Sequence, residues 1–363
     1  MVTSKPTVAI VGLNVGVNGH IPAFKKEGWD VVALGATTQE KLDKASSDHG
    51  IGATYTDYGA LLQHPGLDAV VIASPPSTHL DMSLRALDAG KHVLIEKPFA
   101  LNSSDAAAIR DKAKAAGKTT MIAEAYRFAP SRAYAKELID QGYIGKPQAM
   151  AITLFLGPRQ RPEPAGPRLH WRSSNATGGG FSAGPMSTFF DAVIDWFGDV
   201  SAVQGKLYVA HPGQSQPDGS PADADESLAV QFELANGAWG SFTASVLTPF
   251  GQGATFDLMG SEGTLRITQV GLLPLGTDTV SGGRFDDGPE IKKLEIPQRF
   301  FETITDESPK PEPYHAYQAV VRAFTKGIES GTSPAPNFDD AYQLQRITDA
   351  VRESSDRGGW VKI

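Results

Sequence analysis

His92-Val93-Leu94-Ile95-Glu96-Lys97-Pro98 sets the architecture expected of this chain. Residues 92–95 form an apolar run too short for a helix, directly after helical spacing at 79–89, and read as a buried strand. Pro98 stops it. A strand entered from a helix belongs to a parallel sheet, and open α/β sheets bind ligands beyond the carboxyl ends of their strands. Lys97 therefore stands where a mobile cation points into a ligand crevice.

The same rhythm continues on both sides. Strands are expected over 8–12, 31–35, 69–74, 92–97 and 119–125, and helices over 40–47, 79–89 and 104–116. Such alternation means right-handed crossovers and a doubly wound parallel sheet, an α/β domain over 1–125. After a helix at 130–141 the pattern changes to short strand-like runs at 148–156, 202–209, 228–234, 238–246, 255–259 and 264–268. Asn236-Gly237 is a two-residue hairpin signal between two of them. The remainder, 126–363, is expected to be an α+β domain with a large open, mostly antiparallel sheet. A helix at 186–197 would pack on that sheet, and Phe232, Trp239 and Phe242 would fill one of its faces. Helical periodicity returns at 314–330 and 339–354, in helices with the option of packing back on the first domain. Proline- and glycine-rich 157–168 and 211–225 read as mobile loops.

Composition bounds the function. The chain has 363 residues, 40% hydrophobic and 20% charged, enough for two ordinary globular domains. A formal charge of -8 with scattered lysines and arginines argues against direct nucleic-acid binding and for a small-molecule partner. The absence of cysteine excludes disulfides, thiolate nucleophiles and zinc–thiolate sites, and no metal is expected. A strand starting at Thr7 leaves no room for a signal peptide, and no apolar stretch approaches membrane-spanning length. A cytoplasmic location without membrane contact is the expectation.

Between the first strand and Pro22 runs a glycine-rich loop, Gly12-Leu13-Asn14-Val15-Gly16-Val17-Asn18-Gly19-His20-Ile21. Gly12 suits the tight turn before a dinucleotide pyrophosphate, and Asn14 and Val15 would lie where the backbone meets it. Asn14 takes the place of a glycine, and asparagine tolerates left-handed backbone there. After the second strand, Gly35-Ala36-Thr37-Thr38 lacks the carboxylate that would accept ribose hydroxyls. Thr37, Thr38 and Lys41 would instead tolerate a 2′-phosphate, which favours NADP slightly over NAD. Ser74, Pro75, Pro76 and His79 belong to a rigid ledge that cannot begin a helix before Ser77 and would lie against the nicotinamide ribose, the alternative being an ordinary loop with an N-cap at Ser77 or Thr78.

Five segments in order carry a resemblance. They are Ser74-Pro75-Pro76-Ser77-Thr78-His79, Ala89-Gly90-Lys91-His92-Val93-Leu94-Ile95-Glu96-Lys97-Pro98, Glu124-Ala125-Tyr126-Arg127-Phe128, Trp171-Arg172 with Gly178-Gly179-Gly180, and Gly260-Ser261-Glu262-Gly263-Thr264-Leu265. Together they resemble the glucose-fructose oxidoreductase / inositol dehydrogenase / rhizopine-catabolism (Gfo/Idh/MocA) family, over nearly the whole chain. The resemblance implies a Rossmann domain followed by an open sheet domain. It also implies a nicotinamide cofactor, a sugar, amino sugar or cyclitol as substrate, and a homodimer or homotetramer formed through the open sheet. It assigns to Lys97 the reacting oxygen and its proton. The chemistry agrees, because hydride leaving a carbinol carbon requires loss of the hydroxyl proton, and a cation lowers the cost of the developing alkoxide. Glu96 is expected to fix backbone or cofactor contacts.

One departure matters. Where the family commonly places an aspartate and, one helical turn later, a histidine, this chain has Gly184 and Thr188, while the later aspartate is kept as Asp191. Threonine hydrogen-bonds or relays through water but is no acid or base near neutral pH. Tyr126, His170 and Lys97 itself are the candidate proton donors, and Asp191 either orients Lys97 or is an ordinary helix-face carboxylate. Arg127, His170, Trp171 and Thr188 complete the expected substrate contacts, with packing as the alternative for Trp171. Arg159, Arg161, Arg168 and Arg172 would suit an anionic substrate group, or else a solvated loop or subunit contact.

The leading expectation is thus an NAD(P)-dependent dehydrogenase or reductase acting on a carbohydrate-like CH–OH. Two other classes stay open. One is a cofactor-binding sensor or transcriptional co-regulator similar to the yeast galactose regulator, which Asn14, Gly184 and Thr188 favour. The other is a glycoside-cleaving enzyme using transient oxidation.

Overall fold

The computed structural model of the chain describes residues 5–157, 170–210, 213, 215, 219–272, 277–302 and 315–363, with 170, 171 and 315 described in backbone only. Two compact units emerge, Met1–Ala125 with Tyr314–Gln345, and Tyr126–Pro313 with Arg346–Ile363.

In the first unit β1 (Thr7–Val11), β2 (Asp30–Gly35), β3 (Ala53–Tyr55), β4 (Ala69–Ile72), β5 (His92–Ile95) and β6 (Thr120–Ile122) form a six-stranded sheet in the order β3-β2-β1-β4-β5-β6. Every pairing is parallel. Strand order runs outward in both directions from β1 and β4, so their carboxyl ends flank the crevice of a doubly wound fold. The connecting helices are α1 (Ile21–Lys26), α2 (Gln39–His49), α3 (Tyr58–Leu62), α4 (His79–Asp88) and α5 (Ser103–Ala116). Local chemistry sets their ends. The Asn102 side chain accepts from the Asp105 amide at 2.9 Å to start α5, and Gly117, at φ +61, ends it. The central strands are apolar without alternation because helices cover both faces, and Ala9, Val70 and Val93 are fully buried.

The second unit holds α6 (Pro130–Asp140), β7 (Pro147–Phe155), α7 (Pro185–Phe197), β8 (Val200–Tyr208), β9 (Ser227–Leu234), β10 (Trp239–Ser245), β11 (Gly253–Gly260), β12 (Gly263–Gln269), β13 (Thr279–Arg284) and β14 (Lys292–Leu294). The chain ends in α8 (His315–Ser330), α9 (Phe338–Arg357) and β15 (Val361–Lys362). A nine-stranded sheet has the order β14-β13-β12-β11-β7-β10-β9-β8-β15. All its neighbours are antiparallel except β7 and β10, which run parallel. The β9–β10 hairpin turns at Asn236-Gly237, with Gly237 at φ +87.

Aromatic side chains join α7 to this sheet. Phe189 stacks on Phe242 and Phe256 at 4.8 and 5.2 Å between centroids, and Phe190 meets Phe232 edge-on at 5.3 Å. Each such buried ring contributes about 1.5–3 kcal/mol through apolar burial. Trp239 does not share that face. It is 59% exposed, because side chains alternate along β10 and Trp239 is out of step with buried Phe242. Its neighbours on the outer face are Gln231, Glu233, Ser241 and Thr243, so Phe232 and Phe242 fill the face that α7 covers, while the open face, expected to be apolar as well, is largely polar.

Other expectations shift at their edges. β3, three half-buried residues, and β13 and β14, rich in glycine and lysine, lack the apolar run that marks a strand. A short 3-10 turn begins at Pro76, one residue earlier than expected, because proline already holds the helical φ. From 158 onward the loop expected at 157–168, with Arg159, Arg161 and Arg168, lies outside the described residues. Of the second loop, the final residues are pinned rather than mobile: the Asn175 amide donates to Asp223 Oδ1 at 2.9 Å, and Asp225 accepts from Ser182. Among the described residues no helix is long and apolar enough to cross a membrane.

Candidate active site

Gly12 follows β1 at φ +96, and its amide donates to the Gly35 carbonyl at 3.0 Å. A Cβ at this position would stand 2.2 Å from the Ala73 carbonyl oxygen, so the ends of β1 and β4 approach as only glycine permits. Gly16 is closely approached as well, though less severely, since a Cβ there would stand 2.8 Å from the side-chain Cγ2 of Ile10. These two constraints fit a dinucleotide loop, whose glycines serve a sharp turn and close helix–sheet packing. Asn14 is exposed and does not adopt the expected left-handed backbone; its carbonyl instead accepts from Asn18, at 3.4 Å from the amide and 3.2 Å from Nδ2. The loop therefore closes as a helical turn, Gly16–His20, that runs straight into α1. Val15 is half-buried before that turn.

Thr37, Thr38 and Lys41 are all exposed, around the amino end of α2, with Thr38 at the N-cap position and making no side-chain cap. On the ledge after β4, Ser74 Oγ and Thr78 Oγ1 lie 2.6 Å apart, and Thr78 donates to the Pro75 carbonyl at 2.8 Å. Pro76 is buried. His79, expected at the cofactor, is fully buried instead, with Nε2 2.9 Å from the Ser74 carbonyl and Nδ1 3.2 Å from the Phe99 carbonyl. Both nitrogens face backbone oxygens, so the ring ties the ledge to the turn after Lys97. Burial pushes its proton affinity below the usual histidine range, opposed by those carbonyls and by the charge of Glu96.

Lys97 is half-buried just beyond β5. Its amide donates to Glu96 Oε2 at 3.2 Å, and Glu96 Oε1 accepts from His20 Nε2 at 2.9 Å and from the Tyr317 hydroxyl at 2.8 Å. Burial alone would raise the Glu96 carboxyl, but His20, the charge of Lys97 and Tyr317 hold it below the usual carboxylate range. Sequence reasoning did not single out His20 or Tyr317. His20 stood in the loop as one residue of the run, and Tyr317 sits on a helix with only ordinary amphipathic spacing.

In the second unit Arg127 donates to Asp191 through Nε at 3.1 Å and Nη2 at 2.5 Å, and its Nη1 lies 3.4 Å from Asp195. Burial pushes Asp195 above the usual range, opposed by Arg127. Thr188 is buried on α7, and its carbonyl accepts from Arg132 Nη1 at 3.2 Å. Arg132, itself buried, lies over the rings of Tyr126, Phe189 and Phe256 at 5.7, 5.3 and 4.9 Å. Gly184 occupies the N-cap position of α7. Gly180 before it is set by Asp225, whose Oδ1 would lie 2.5 Å from a Cβ there and which accepts from the Ser182 amide and hydroxyl at 2.8 and 2.7 Å. His170 and Trp171 fall in a short turn, His170–Ser173, described there in backbone only. Arg172 is exposed.

Comparison with known proteins agrees with this arrangement. The oxidoreductase family GFO_IDH_MocA matches twice, its NAD-binding Rossmann fold over residues 7–124 and its C-terminal alpha/beta domain over 136–363. The scyllo-inositol 2-dehydrogenase (NAD(+)) of Bacillus subtilis is 26% identical over 314 residues, covering 86% of this chain and 83% of that protein. D-xylose 1-dehydrogenase (NADP(+)) 2 of Haloferax volcanii is 24% identical over 352 residues, covering 96% and 97%. In fold the chain is similar to levoglucosan dehydrogenase in complex with NADH and levoglucosan, with a TM-score of 0.88, 23% identity and 99% of both chains covered. With both domains matched in order and the glycine turn, the ledge and the Glu96–Lys97 edge in place, the chain belongs to the Gfo/Idh/MocA oxidoreductase family.

Proposed function

We propose that this protein is an NAD(P)-dependent oxidoreductase that interconverts a hydroxyl and a ketone on a sugar, amino sugar or cyclitol. The observation that carries the reading is Lys97, placed directly after β5 and tied through its amide to a buried carboxylate at the carboxyl edge of a doubly wound sheet. When bound, the nicotinamide supplies or accepts the hydride. Lys97 hydrogen-bonds the reacting oxygen and takes up or returns its proton, stabilising negative charge as it develops. Gly12, Asn14, Val15, Ser74, Pro75 and Pro76 form the dinucleotide cradle, and Glu96 supports it from beneath. The exposed hydroxyls of Thr37 and Thr38 with Lys41 favour the 2′-phosphate of NADP.

Tyr126 and Thr188 contact substrate in this reading, with Tyr126 the relay that stands in for the family's histidine, and His170 and Trp171 line the same ligand. Arg127 and Asp191 work as a pair, the arginine fixing the carboxylate. Dimers or tetramers form through the outer face of the nine-stranded sheet, where Trp239 and Tyr208 are the large exposed rings. A second reading, a cofactor-bound sensor, is favoured by one observation: Gly184 and Thr188 give α7 no titratable group where the family commonly has two.

The test is a panel of sugars, amino sugars and cyclitols offered with NADP or NAD, read by reduced-nicotinamide absorbance and paired with NADPH and NADH fluorescence titrations. Turnover of a panel member supports the enzyme. Cofactor binding with silence across the panel supports the sensor, and absence of any dinucleotide binding rejects both.

A further inference from the structure

Three elements converge on one carboxylate in the first unit. His20 comes from the turn before α1, Tyr317 from α8 and the amide of Lys97 from the end of β5, and all three donate to Glu96. Glu96 is 6% exposed and His20 is fully buried. The rings of His20 and Tyr317 meet edge to face at 4.7 Å between centroids. A carboxylate only accepts, so His20 Nε2 carries a proton, while its Nδ1 has no partner among the described residues. Apolar residues of the same volume would pack this space without desolvating a charge. The cluster therefore calls for a reason other than packing.

Its position supplies one. Among the described residues, the amide it holds at the sheet edge is that of Lys97, whose side chain in the oxidoreductase reading meets a developing alkoxide. Such a contact strengthens in the transition state, so errors in its placement appear in kcat rather than KM. We infer that Glu96 is a positioning residue for Lys97, its carboxylate anchored by His20 and Tyr317 so that the main chain bearing the lysine cannot shift. This rests on the oxidoreductase reading and extends it by naming what aims the lysine. It also makes His20 a shared part: the turn that follows the glycine loop ends in the residue that holds Glu96.

The experiment compares wild type with Glu96→Gln, Tyr317→Phe, His20→Ala and His20→Gln, using the best substrate of the panel. Glu96→Gln should lower kcat by about 100-fold, the effect of roughly an ångström of misplacement, with KM for the substrate within about threefold of wild type. Tyr317→Phe should lower kcat by about tenfold, and His20→Gln, which keeps a donor, should recover most of what His20→Ala loses. Wild-type kcat in Glu96→Gln, or losses confined to KM, overturns the inference while leaving the enzyme reading intact. Should Glu96→Gln fail to fold, the Tyr317 and His20 variants decide, and unchanged kcat in them overturns it. A wild type that turns over no panel member refutes the oxidoreductase reading first, and this inference with it.

Discussion

Arg127 grips Asp191 at two points, Nε to Oδ2 at 3.1 Å and Nη2 to Oδ1 at 2.5 Å. The side chains are 11% and 2% exposed, so the pair lies largely out of water. Removing one partner would strand the other's charge, a loss of about 3–5 kcal/mol for a buried pair. Arg127→Met should therefore lower the urea midpoint strongly, and adding Asp191→Asn should restore part of it. An unchanged midpoint in the single variant would show the pair to be dispensable.

Lys97→Ala should lower turnover by about 100-fold or more, the usual reach of a positioned acid–base group. Binding of NADPH or NADH, read by fluorescence, should stay within about threefold, because the proposed cradle lies in the backbone of other segments. A variant as active as wild type would remove Lys97 from the chemistry.

Gly12→Ala places a methyl 2.2 Å from the Ala73 carbonyl oxygen on backbone at φ +96. Left-handed backbone alone costs about 1–2 kcal/mol with a Cβ, and the clash adds to it. The melting temperature should fall and dinucleotide affinity should fall with it. A variant that melts and binds like wild type would mean that the turn is slack.

Stability should depend on pH through His79. The unfolded chain binds a proton near the ordinary value of 6.5, whereas burial keeps the folded ring below it. Between those values the unfolded state holds the extra proton, so this contribution is full above about pH 6.5 and declines as pH drops toward the folded value. His92 has the same sign, burial and then Lys118 lowering it. The depressed Glu96 carboxyl acts only further down, below its ordinary 4.5. Urea midpoints should fall between about pH 7.5 and pH 5.5, and fall less in His79→Gln. Identical slopes in the two proteins would count against His79 as the source.

Cofactor choice should answer to one position. A carboxylate beyond β2 accepts ribose hydroxyls and repels a 2′-phosphate. Ala36→Asp should thus weaken NADPH relative to NADH by about tenfold or more, a change of about 1.4 kcal/mol in the ratio. A wild type that already prefers NADH clearly would defeat the argument from Thr37, Thr38 and Lys41.

Much of this was legible in the chain. β1, β4 and β5 are continuous apolar runs because both their faces are covered, and α5 was read from apolar residues at helical spacing, its capping Asn102 and Gly117 being added by the structure. β3 and β14 were not legible, since three-residue segments with exposed or half-buried side chains carry no periodicity. At the site, Lys97 and Gly12 followed from strand ends and turn chemistry. The His20–Glu96–Tyr317 cluster did not, because its members are distant in sequence and meet only once the helix after residue 314 has found its unit. Trp239 was misread for a different reason: it stands three residues from Phe242, an odd spacing that puts the two side chains on opposite faces of a strand.

The lone parallel pairing in the large sheet sets an order of events during synthesis. Among the described residues β7 lies between β10 and β11, both made long after it, and pairs with no strand adjacent to it in sequence. A nascent chain therefore carries β7 with two bare edges while α7 and the β8–β9 pair are still emerging. Protection of the β7 amides should appear only after β10 has left the ribosome, and until then its unpaired edges are open to pairing with neighbouring nascent chains.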